Sequence, residues 1–286
     1  MSNDESLKLK IEELANKAIF YNKDEDIDFH PMVLLDCVKS IISLDFDKPN
    51  YNLINWIEGF LPKKVEKNKK SPIAKAENAS FKELEEILIN KEKDKIEKVL
   101  INFDMLSDGT QLMEFFLEMS LFQSGNSFIH IWRSYKIFKF ADIKDKISFY
   151  KLMSNFIFKD KFKRSGSFNF KKKVSIDRVN NNVKDIVLYS NLIDCTNVNF
   201  IRDKNIKNAL ESMKEQFKNN VTLDKSIKIL YDDSIKDRKD VLRFINNKTS
   251  LVSYNNILLI DSARALIKNN NLISKSFLDH IYQKLK

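Results

Sequence analysis

Only four glycines (Gly59, Gly109, Gly125, Gly166) and four prolines (Pro31, Pro49, Pro62, Pro72) interrupt 286 residues. Folds with many tight turns need residues that tolerate positive φ at each of them, and glycine is the usual one. A chain this poor in glycine reads as helices joined by Asn-, Asp- and Lys-rich connections. It is 43% hydrophobic and carries 22 phenylalanines, which is too apolar for a disordered chain despite 31% charged residues. The length suffices for one large domain or two ordinary ones without metal or disulfide staples.

Periodicity gives the elements. Leu7, Ile11, Leu14, Ala15, Ala18 and Ile19 recur at steps of three and four, which places one apolar stripe on a helix over residues 6–20. His30-Pro31 opens a second helix. Its Met32, Val33, Leu34, Leu35, Cys37, Val38, Ile41 and Ile42 cover most of the circumference, so it should be central. A third helix over 51–61 stops at Pro62. Ser80-Phe81-Lys82-Glu83 has the spacing of a capping box and starts a helix running to about residue 90. Helices follow over 92–105, 108–122, 128–140 and 143–158. Residues 174–199 are ambiguous because of β-branched Val174, Ile176, Val179 and Val183, and are read as helix from Val183. Further helices fall at 203–217, 223–232, 235–246, 255–268 and 275–285, with Asn-rich breaks between them where asparagine tolerates the left-handed conformation. The fold class is therefore all-α, an irregular multi-helix bundle or helical-repeat-like array. Its organisation reads as a helical block at 1–158, a spacer at 159–173 and a second helical block at 174–286.

The spacer is the segment with the most specific composition. It holds seven cations (Lys159, Lys161, Lys163, Arg164, Lys171, Lys172, Lys173) against one anion, Asp160, for a local charge of +6 out of +9 for the whole chain. Phe168 and Phe170 lie among them, with Phe162. Cations neutralise phosphates and aromatic rings stack on unpaired bases, so the pattern suits single-stranded nucleic acid, or an acidic protein. Lys63, Lys64, Lys67, Lys69 and Lys70 form a second basic patch. The competing reading is a solvated loop whose phenylalanines pack back on the core, its lysines reporting a compositionally biased genome.

Chemistry-bearing motifs are sparse. The chain has no Gly-rich phosphate loop, no G-x-S-x-G elbow and no His-Glu-x-x-His, so the usual nucleotide-dependent and zinc-peptidase chemistries are not expected. No cofactor or metal is expected either. Ser127, His130 and Arg133 lie along the first turns of one helix, where free amides and the helix dipole favour an anion, and form the candidate small-ligand site. Alternatively Ser127 is an N-cap while His130 and Arg133 are solvated. The three histidines, His30, His130 and His280, would have to converge to make a metal-dependent or cofactor-independent helical enzyme, the alternative to a non-catalytic interaction module. Cys37 and Cys195 have neither disulfide-framework nor zinc spacing, and no 18-residue apolar run occurs, so a cytoplasmic protein is expected.

One internal similarity stands out. Residues 30–42 (HPMVLLDCVKSII) align without gaps on 255–267 (NNILLIDSARALI), placing Asp36 on Asp261 and Lys39 on Arg264. Acid and base three residues apart are neighbours on a helix and can pair across its narrow polar stripe. Either two equivalent elements are present, or two buried helices merely resemble each other.

Overall fold

A computed structural model describes residues 3–21, 30–45, 49–62, 78–121, 123, 126–160, 182–220, 237, 239–242 and 253–285. The protein is all-helical, with no strand among the described residues. In chain order the helices are α1 (Asn3–Ala18), α2 (Pro31–Ile42), α3 (Tyr51–Glu58), α4 (Phe81–Asn90), α5 (Lys93–Leu106), α6 (Thr110–Leu121), α7 (Asn126–Phe140), α8 (Lys146–Lys159), α9 (Val183–Thr196), α10 (Lys204–Asn220), α11 (Tyr254–Ile267) and α12 (Leu272–Leu285). The helices expected over 223–232 and 235–246 fall largely outside the described residues, apart from a helical turn at 239–242. No described helix is long and apolar enough to cross a membrane.

Side-chain caps set most of the boundaries. The Ser80 hydroxyl accepts from the Glu83 amide, as the capping-box spacing requires. Asp145 accepts from both the amide and the hydroxyl of Ser148 to open α8, and Ser253 caps α11. The Asn-rich breaks work differently from the expectation. Asn182 sits in extended conformation and accepts from the Asp185 amide, and Asn271 accepts from the Ser274 amide. Their side-chain oxygens start the next helix, whereas the left-handed C-cap at the end of α4 is Lys91, with φ of 57°.

The chain divides into two compact units, one of Met1–Asp36 with Ile57–Ser167, the other of Cys37–Trp56 with Phe168–Lys286. In the first, α6, α7 and α8 pack mutually, and α4 and α5 pack on each other and on α8. Its centre is α7, buried at every residue from Ser127 to Tyr135, around its whole circumference. Phe128, Ile131, Trp132 and Tyr135 supply the apolar contacts. A helix surrounded on all sides must also bury its polar residues, and each of those then requires a partner. In the second unit α9 packs on α10 and α11, and α11 on α12. The small side chains of Ser190 and Ser262 allow α9 and α11 to approach until the hydroxyls touch at 2.9 Å. Tyr189 meets the rings of Phe217 and Phe277 beside them.

Gly109, between α5 and α6, has φ of +84° and lies against a fully buried tyrosine. A Cβ there would stand 1.9 Å from the Tyr150 hydroxyl oxygen and 3.1 Å from Phe138 Cζ. This position requires glycine on both conformational and steric grounds.

Candidate functional site

The polar residues of α7 form one buried seam with the start of α2 and the end of α8. At its N-terminal end, the Ser127 hydroxyl donates to Asp160 Oδ2 at 2.5 Å, and the Ser127 amide points to the same oxygen at 3.4 Å. Asp160 is the C-cap residue of α8. Beside it, the Gln123 side chain donates to the Ile157 carbonyl at 2.9 Å. The anion that a helix N-terminus attracts is therefore intramolecular here, and an external anion would have to displace Asp160.

Farther along α7, Arg133 meets Asp36 Oδ2 at 3.2 Å and Lys136 meets it at 2.7 Å. The carboxylate is fully buried, the arginine side chain nearly so, and the lysine keeps 11% exposure while lying 5.6 Å over the Trp132 ring. Asp36 is thus held by two cations of α7. In the other unit, Asp261 takes Arg264 of its own helix at 2.5 Å, and Arg264 also reaches Asp194 of α9 at 3.6 Å. Both acids of the aligned segments are buried and paired with cations, but the cations come from different places.

His30 and His130 both belong to the first unit. Their rings contact the same phenylalanine, Phe156, with centroids at 5.1 and 4.7 Å. His130 Nδ1 faces the Asn126 carbonyl at 2.8 Å and so carries the proton, leaving Nε2 with its lone pair. His30 has the opposite tautomer, because its Nδ1 accepts from the Met32 amide at 3.2 Å and its proton must sit on Nε2. Burial pushes the His30 pKa down to about 3, helped by the neighbouring His130 and Lys159 and only partly offset by the Tyr21 backbone.

This arrangement constrains the chemistry. Ser127 gives its proton to Asp160 and His130 turns its N–H to its own helix backbone, so the serine, histidine and aspartate are assembled without the serine-to-imidazole bond of an activated nucleophile. A metal ion at His30 Nε2 would have to replace the proton its tautomer places there. Among the described residues no group of three or more His, Cys, Asp or Glu side chains could hold a metal. His280 belongs to the second unit, where its Nδ1 lies 3.0 Å from the Ser276 carbonyl.

Ser127, His130 and Arg133 are thus brought onto one seam, all buried, with none of them solvated. Of the basic candidates, Lys159 is described, exposed at the end of α8. Lys161, Lys163, Arg164, Phe168, Phe170, Lys171, Lys172 and Lys173 lie outside the described residues, as do Lys63, Lys64, Lys67, Lys69 and Lys70. The roles of Phe156, Asp160 and Gln123 were not read from the sequence. Their contacts span 26 to 34 positions, and no local spacing marks them. No protein-family model, curated protein or solved structure matches this chain.

Proposed function

We propose that this is a non-catalytic, cytoplasmic helical interaction module whose segment 159–173 binds an anionic partner, single-stranded RNA or DNA. The observation that carries the reading is the seven cations with interleaved phenylalanines against one anion. Asp160, that single anion, is engaged with the Ser127 hydroxyl and amide. The reading takes the remainder of the segment as a run of positive charge with aromatic rings available for stacking.

Filter binding over a salt series tests this. Affinity should fall steeply with salt, and exchanging Lys171, Lys172 and Lys173 for Gln should lower the log–log slope by about 2, at roughly 0.7 for each phosphate no longer neutralised. Replacing Phe168 and Phe170 with Ala should weaken single-stranded more than duplex binding, because only unpaired bases offer their faces. Absence of nucleic-acid binding at low salt refutes the reading, and salt-sensitive binding to polyglutamate instead would identify an acidic protein as the partner.

The meeting of His30 and His130 at Phe156 favours a second reading, a cofactor-independent or metal-dependent helical enzyme. Stoichiometric metal in the purified protein, lost on replacing His130, would support it over the first.

A further inference from the structure

We infer that Lys91, in the turn between α4 and α5, binds a phosphate of the same single strand that the segment beginning at Lys159 is proposed to take, so that the anion-binding surface extends onto the folded first unit; the inference rests on that reading of the segment. Three observations carry it. Lys91 Nζ donates to the Asp160 main-chain carbonyl at 3.1 Å, across 69 positions, which sets its ammonium beside the residue that follows Lys159. Lys91 is exposed and pairs with no carboxylate among the described residues, whereas Lys95, one turn on, is held by Glu92 at 2.9 Å. Lys91 also has φ of 57°, and it is the one non-glycine residue with positive φ among the described residues.

The end of α8 is a fixed point. Gln123 donates to the Ile157 carbonyl, Ser127 to the Phe156 carbonyl and the Asp160 carboxylate, and Lys91 to the Asp160 carbonyl, so three separate parts of the unit hold its last turn. Lys91 is therefore in position before any ligand arrives, which lowers the ordering cost of a contact made to it. An ammonium has three N–H groups and the carbonyl takes one, leaving two for phosphate oxygens. The Asp160 carboxylate, which could compete for them, is turned to the Ser127 hydroxyl and amide. The backbone points the same way. A left-handed C-cap strains a lysine and not a glycine, and a residue held in such a conformation marks a side chain with a task. If that task were only to complement the negative ends of α4 and α8, it would be read in stability and not in the salt dependence of binding.

Fluorescence anisotropy of a labelled oligothymidylate, titrated with the full chain over a salt series, tests the contact. Lys91→Gly should lower the log–log salt slope by about 0.7, the value of one phosphate on a single strand, and so bind about eightfold more weakly than wild type near 50 mM salt while converging with it near 1 M. Urea unfolding should show the variant no less stable than wild type, because glycine takes the left-handed cap without strain. Lys91→Arg, which keeps the charge, should keep the slope. Lys91→Asn, neutral and tolerant of the same backbone conformation, gives the same reading as the glycine variant if that one folds poorly. A neutral variant with the wild-type slope overturns the inference, and so does a slope lowered equally in Lys91→Arg. The two readings fail separately. A wild-type protein that does not bind the oligonucleotide overturns the reading of the segment and this inference with it, whereas a slope lowered by exchanging Lys171, Lys172 and Lys173 for Gln but not by Lys91→Gly overturns this inference alone.

Discussion

Replacing Asp36 with Asn should be among the most damaging single-atom-scale changes in the protein. The substitution preserves shape and removes one negative charge, leaving the Arg133 and Lys136 cations 3.2 and 2.7 Å from a neutral amide oxygen. Water cannot compensate, since the site is closed on the Asp36 side and Arg133 is nearly fully buried. Stranding a buried charge costs about 3–5 kcal/mol, and Arg133 is the charge stranded here while Lys136 can turn outward, so Asp36→Asn should fall within that range. Lys136→Met should cost only about 1–2 kcal/mol, because Arg133 still neutralises the carboxylate and the lysine head lies nearest solvent. Replacing the pair together, Asp36→Leu with Arg133→Met, should cost less than Asp36→Asn alone, because no buried charge is left without an opposite one except the lysine that can turn outward. Urea unfolding followed by Trp132 emission, in a Trp56→Phe background so that a single indole reports, measures each variant; Trp132 is fully buried and belongs to the unit under test. An Asp36→Asn loss below about 1 kcal/mol, or a double variant equal to the sum of its singles, would show that the three side chains do not act as one electrostatic unit.

Two further substitutions probe the same unit. Gly109→Ala should cost about 2–4 kcal/mol from backbone strain together with the collision with Tyr150, and adding Tyr150→Phe should recover the part due to the hydroxyl, leaving the strain of about 1–2 kcal/mol and the tight contacts with the ring carbons of residues 150 and 138. Tyr150→Phe alone should be neutral or stabilising in thermal melts, because the buried hydroxyl has no hydrogen-bond partner among the described residues. Ser127→Ala should lose about 1.5–3 kcal/mol, the worth of a hydrogen bond to a charged group, and should lose clearly less in a background where Asp160 is already Ala, where the hydroxyl keeps only the Phe156 carbonyl at 3.3 Å.

The helices were legible because their signals are local. The Ser80 cap, the start of α9 at Val183 and the stripe of α1 depend on residues within a turn or two of one another. Leu272 begins α12 a turn before the expected 275 because the Asn271 oxygen caps Ser274, a role that resembles the left-handed use of asparagine in sequence but differs in geometry. The site was half legible. Steps of three put Ser127, His130 and Arg133 on one face, and the pull of a helix N-terminus on an anion could be read. That the anion is Asp160, 33 positions away, could not, and neither could Asp36 as the partner of Arg133 across 97 positions. Asp36–Lys39 and Asp261–Arg264 have identical spacing, yet Asp261 uses the neighbour on its own helix while Asp36 binds two cations of α7. Local pattern proposes a partner, and the packing of surrounded helices determines which one is used.

The interleaving of the two units has a consequence for birth at the ribosome. Residues 37–56, with Val38, Ile41, Ile42, Leu53 and Ile54 among their buried positions, belong to a unit whose remaining residues begin only at Phe168. Synthesis runs from the N-terminus, so these apolar groups emerge and must wait for partners while the whole of 57–167 is made. Meanwhile the first unit has all of its own residues. Nascent chains arrested before residue 168 should therefore present a folded N-terminal unit carrying an unpaired apolar stretch, a natural point of engagement for chaperones.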